Sequence, residues 1–164
     1  MDHVDKILAQ WRVEHPEFKL RAMGVLGRMS RLTTHLTQGL DQVFSAYGLN
    51  AASFDVLATL RRSGAPYALT PSQLMDWTMV TSGTMTNRLD RLQAQGLIDR
   101  KKSDQDARSV VVQLTPQGLD LINDSVTKHV ANQNRLAAAL NPEEQEQLDR
   151  LLAKWLAAFE APEG

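Results

Sequence analysis

The stretch TSGTMTNRLDRLQAQGLIDRKKSDQDARSVVVQLT, residues 81–115, decides the fold. Its first part, residues 81–95, places Met85, Leu89 and Leu92 at the i, i+4, i+7 spacing of one buried helix face. At about 100° per residue, Thr84, Asn87, Arg88, Arg91 and Gln95 share an arc on the opposite side. Asp90 is the one carboxylate beside that arc. Gly96 is the expected stop, because glycine tolerates the left-handed turn that closes a helix. Residues 97–102 read as a strand and residues 109–114 as its partner, with the polar segment 103–108 as the turn. A helix with an amide- and guanidinium-bearing face, followed by a basic-tipped hairpin, suits a major groove and the flanking backbone or minor groove.

The rest of the composition limits the alternatives. The chain has 164 residues, enough for one compact unit or a small domain with helical extensions. No apolar run approaches the roughly 18 residues of a membrane span, and the acidic, amphipathic start MDHVDKILAQW is no secretory signal. A cytoplasmic location is therefore expected. With no cysteine there is no disulfide framework and no thiolate metal site. The histidines at 3, 15, 35 and 129 lack metal-ligand spacing and are expected at the surface or an interface. Neither a G-x-S-x-G nor a glycine-rich phosphate loop occurs, so no catalytic site, metal or cofactor is expected. The net charge of −1 hides an asymmetry. Residues 1–60 carry six basic and six acidic side chains, residues 61–108 eight and five, and residues 109–164 four and eight. The middle third thus holds a positive excess, and phosphate contact needs a basic patch rather than a basic total.

Read in order, the chain begins with a short amphipathic helix from Asp2 to about Arg12, ended before Pro16. A long helix from about Lys19 to Tyr47 follows, with Leu26, Met29, Leu32, Leu36, Leu40 and Val43 in one stripe. Asn50 caps a helix over residues 51–62, and Tyr67–Leu69 is a short edge strand. Thr70-Pro71-Ser72-Gln73 is a capped helix start, and so are Thr115-Pro116 and Asn141-Pro142-Glu143-Glu144. The expected class is mainly α: a winged helix-turn-helix with long flanking helices and a small hairpin wing. Three regions are expected: an extra helix over 1–15, a helical dimerisation region over 18–47 and 116–160, and the DNA-binding module over 48–115. The apolar stripes of the flanking helices exceed what one small module covers, which points to a two-fold dimer.

The wing residues Asp106-Ala107-Arg108, followed by Leu114-Thr115, resemble the D-x-R…LT signature of MarR-type transcriptional regulators. The order of elements is theirs too, over nearly the whole chain. The segments YGLNAASFD (47–55), LRRS (60–63) and TNR (86–88) are similar to the urate-responsive PecS/MftR/HucR branch of that family. That resemblance implies effector contacts at Trp11, Asp55, Arg88 and Arg100. It also implies a homodimeric repressor, released from a double-stranded operator by a small anionic effector, urate or a related aromatic anion.

Each residue also has a plainer reading. Asn87, Arg88 and Arg91 are either a solvated face or base readers, since asparagine pairs with adenine and arginine with guanine. Thr84 and Thr86 are placed for phosphate or a thymine methyl, and Ser72 and Gln73 for phosphate at a helix end. Arg108 either pairs with Asp104 or Asp106, or enters the minor groove with Asp106 bracing the wing. Trp11 is a packing residue or a flat platform for a planar heterocycle, and Asp55 with Arg100 an internal ion pair or part of an effector pocket. Two rival functions follow: a regulator answering a phenolic or other aromatic acid, and a winged-helix protein-interaction module.

Overall fold

The computed structural model describes residues 1–78, 82–102 and 110–160, and for 82–84 the backbone only. Its elements run α1 (His3–Glu14), α2 (Arg21–Ala46), α3 (Ala51–Arg62), β1 (Ala68–Leu69), α4 (Pro71–Trp77), α5 (Ser82–Ala94), β2 (Ile98–Lys102), β3 (Val110–Leu114), α6 (Pro116–Ala137) and α7 (Pro142–Glu160). This is the mainly α winged helix-turn-helix expected from residues 81–115. Among the described residues, no single helix is long and apolar enough to cross a membrane.

The capping chemistry works as the side chains dictate. Thr70 accepts from the Gln73 amide at 3.2 Å, while Gln73 Oε1 accepts from the Thr70 amide at 2.9 Å. Asn141 and Glu144 make the same reciprocal pair at the start of α7. Asn50 accepts from Ser53 N at 2.9 Å and starts α3. At the other end of the chain, α1 continues to Glu14, two residues past expectation, and turns off at His15 as Pro16 requires. Helix α6 stops at Ala137.

The sheet has the order β1-β3-β2, antiparallel throughout. Ile98 pairs with Leu114 and Lys102 with Val110. The three strands close one side of a core in which Leu57, Leu60, Leu74, Leu92, Ile98, Val112 and Ile122 are fully buried. Two glycines hold this module together. Gly96, at φ +70°, takes the left-handed conformation that ends α5. Gly118, in the first turn of α6, lies so close to the strand entry that a Cβ there would meet Leu97 O at 1.9 Å. Thr115 ties the same junction, donating its hydroxyl to Gly96 O at 2.7 Å and accepting from Gly118 N at 2.9 Å.

Helix α2 connects this module to a second, smaller apolar cluster. There Val4 and Leu8 of α1 pack with Leu20 at the start of α2. Arg28 clamps α1 onto α2 through Asp2, at 2.8 Å, and Asp5. Those bonds hold both carboxyls below the usual range, chiefly through the backbone hydrogen bonds of the α1 cap and also through Arg28. Helix α7 buries no side chain in the single chain.

Candidate nucleic-acid interface

Helix α5 orients its side chains as its periodicity demands. Met85, Leu89 and Leu92 are buried against α3 and the sheet. Thr86, Asn87, Arg91 and Gln95 are exposed. Asp90, the carboxylate beside that face, bonds Arg100 of β2 at 2.6 Å. This pair ties the helix to the root of the hairpin. It also removes the one negative charge that would oppose phosphate along the face.

Arg88 differs from its neighbours. It is half-buried, and its Nη1 is shielded from solvent with no hydrogen-bond partner among the described residues. Together with Asn87 and Arg91 it lines a cavity of 160 Å³ whose other wall is Asn50 and Ser53, from the start of α3. Sequence reasoning takes Asn50 as a cap alone and passes over Ser53. The available signal is two polar residues at the start of a helix that must pack on α5.

Ser72 and Gln73 lie in the first turn of α4, where both are exposed. The Gln73 carbonyl oxygen is committed to the capping box, which leaves its amide hydrogens for an outside partner. Met79 to Thr81, the side chain of Thr84, and the wing tip with Asp106 and Arg108 lie outside the described residues.

Of the four residues that the resemblance assigns to an effector, one chain does not assemble all. Asp55 Oδ1 stands 4.0 Å from Arg62 Nη1, and Arg100 is engaged by Asp90, so these two make no ion pair with each other. Trp11 belongs to an aromatic cluster with His15 and Phe18, at ring distances of 5.6 and 5.8 Å. That cluster sits at the Leu20 end of α2, whereas Asn50 and Arg88 sit at the Phe44 end. Helix α2 has 26 residues, which at 1.5 Å per residue is about 39 Å.

The fourth histidine is half-buried within the chain. His129 of α6 packs against Phe44 and Phe54 at 5.1 and 4.8 Å, with Nδ1 shielded and without a hydrogen-bond partner among the described residues. Burial lowers its pKa below 6.5. Among the described residues no group of histidine, aspartate or glutamate side chains has the geometry to hold a metal ion.

Four similarities bear on this site. Residues 47–109 match the profile of the MarR family. Over 151 residues the chain is 44% identical to the HTH-type transcriptional regulator PecS of Dickeya dadantii, covering 92% of this chain and 91% of that protein. In structure it is similar to a mutant form of Escherichia coli MarR complexed with operator DNA, at TM-score 0.70 and 27% identity over 85% of this chain and 99% of that one. It is also similar to Bordetella bronchiseptica BpsR, whose DNA binding is regulated by 6-hydroxynicotinic acid, at TM-score 0.70 and 28% identity over 85% and 96%.

Proposed function

This chain belongs to the MarR family of transcriptional regulators, and from that membership we propose that it binds a pseudo-palindromic operator as a homodimer and represses transcription until a small anionic effector, urate, releases it. The observation that carries the reading is the split face of α5. Three apolar side chains anchor the helix while Thr86, Asn87 and Arg91 are offered outward. Amide and guanidinium groups on a helix edge are what direct readout in a major groove uses. Ser72 and Gln73 are assigned to backbone phosphate, and Thr84, Asp106 and Arg108 to the groove and wing contacts that the family resemblance implies.

The second copy comes from the helical arms. Leu148, Leu151, Leu152, Trp155, Leu156 and Phe159 are all exposed on α7, facing Val25, Leu26 and Met29 of α2 across open gaps. An apolar surface of that size is not left bare in water. A two-fold dimer covers it and sets two α5 helices about one turn of DNA apart.

The proposed effector contacts are Trp11, Asp55, Arg88 and Arg100. Since Trp11 lies a helix length from Arg88 within one chain, a single urate touching both needs Trp11 from the partner subunit. Release requires urate to prefer the arrangement that cannot hold DNA. The relation to BpsR supports a second reading, in which an aromatic acid of the hydroxynicotinate type replaces urate.

One gel-shift series tests the whole. The duplex upstream of the protein's own gene should be bound and then released by urate, with 6-hydroxynicotinic acid and salicylate as competitors. Mixed dimers of Trp11→Ala and Asp55→Asn chains should recover one working effector site, though each parent lacks both. Absence of a shift with that duplex contradicts the repressor reading. Mixed dimers as unresponsive as their parents contradict the shared pocket.

A further inference from the structure

We infer that the cavity between the first turn of α3 and α5 is a seat for one phosphate group. Its walls are Asn50, Ser53, Asn87, Arg88 and Arg91, and no carboxylate is among them. Neither arginine has an ion-pair partner among the described residues. The Arg88 Nη1 hydrogens are shielded from water and find no acceptor among the described residues. Nη1 is closed even to a water molecule, so an oxyanion in the cavity meets Arg88 through the remaining N–H groups of its guanidinium.

The donors suit a tetrahedral anion. Two guanidiniums offer planar pairs of N–H groups that match phosphate oxygens. The Ser53 hydroxyl adds a donor. Asn50 uses its Oδ1 to cap Ser53 N, so only its amide hydrogens remain. Size points the same way. The volume of 160 Å³ is about that of five liquid waters and well below the roughly 300 Å³ where drug-sized pockets begin. A single phosphate is accommodated.

The source of the phosphate rests on the operator-binding reading, because Asn87 and Arg91 also belong to the exposed face of α5. A backbone phosphate flanking the groove enters the seat from that side. Arg88 is then a phosphate grip and not a base reader, and Asn50 and Ser53 join the DNA-contacting residues from a helix outside the helix-turn-helix.

Arg88→Met keeps the length of the stem and its packing, and Ser53→Ala leaves the α3 cap in place. Both are measured by fluorescence anisotropy with operator and random duplexes over a salt series. In parallel, inorganic phosphate is titrated into the free protein at constant ionic strength, following the Arg88 Nε–H resonance. Affinity should fall for both duplexes by the same factor, about tenfold for Arg88→Met, with the salt slope shallower by about one. Saturable phosphate binding with unchanged duplex affinities would place a free phosphate compound in the seat and sink the DNA source alone. Loss confined to the operator, with no phosphate binding, would overturn the seat and make Arg88 a base reader. Should the wild type bind no duplex at all, the operator reading fails, and the phosphate titration by itself decides the seat.

Discussion

In the winged module, α3, α5 and the sheet bury Leu57, Leu92 and Ile98 completely, whereas α7 leaves every one of its large apolar side chains exposed. Both regions come from equally regular helical patterns. The difference lies in what each pattern meets within the chain. Leu57 and Leu92 find Ile98 and Val112 as neighbours in one core. Leu152 and Leu156 face gaps against α2 that no described element of the same chain fills. The core of the module closes within one subunit, and on the proposed reading the arms need a second one.

The largest effect expected from this contrast comes from charging the arm. Leu152→Glu with Leu156→Glu should convert the dimer to monomer in sedimentation. Operator affinity should drop by about 10²–10⁴-fold, since linked half-site binding is lost. The module should stay folded by near-ultraviolet circular dichroism. A dimer that survives both charges would mean that α7 is not the interface.

Next is the module's own closure. Gly118→Ala pushes a methyl into the Leu97 carbonyl oxygen, a backbone atom that cannot yield as the end of a flexible side chain would. A loss of about 1–3 kcal/mol is expected, independent of protein concentration in urea melts. A concentration-dependent loss would move the effect to the dimer and blur the contrast.

The smallest effect is expected at the joint between the two regions. His129 of α6 lies between Phe44 of α2 and Phe54 of α3, and burial lowers its pKa below 6.5. The unfolded chain therefore binds the proton more readily than the folded one. Stability is full above about pH 6.5 and declines as pH falls below it, until the folded value is passed. His129→Phe should flatten that decline in melts between about pH 5 and pH 8. An unchanged slope would assign the pH dependence to other groups.

Much of this is legible in residues 70–116. The spacing of Met85, Leu89 and Leu92 marks the buried side of α5, and two Thr-Pro starts mark the heads of α4 and α6. These are local signals, set by helical period and by caps within three residues. What stays hidden depends on contacts far apart in sequence. Arg88 shares a periodic arc with Asn87 and Arg91, yet α3 covers it and leaves them exposed. Nothing near His129 in sequence shows the two phenylalanines that enclose it. The need for glycine at 118 is likewise invisible until Leu97 O is in place.

A hydroxyl-radical footprint on the duplex upstream of the protein's own gene tests the duplicated α5 directly. Two protected half-sites with centres about 10 bp apart are predicted. The protection should be absent for the Leu152→Glu, Leu156→Glu protein at the same concentration. A single unpaired patch, or two patches at a variable separation, would contradict the account.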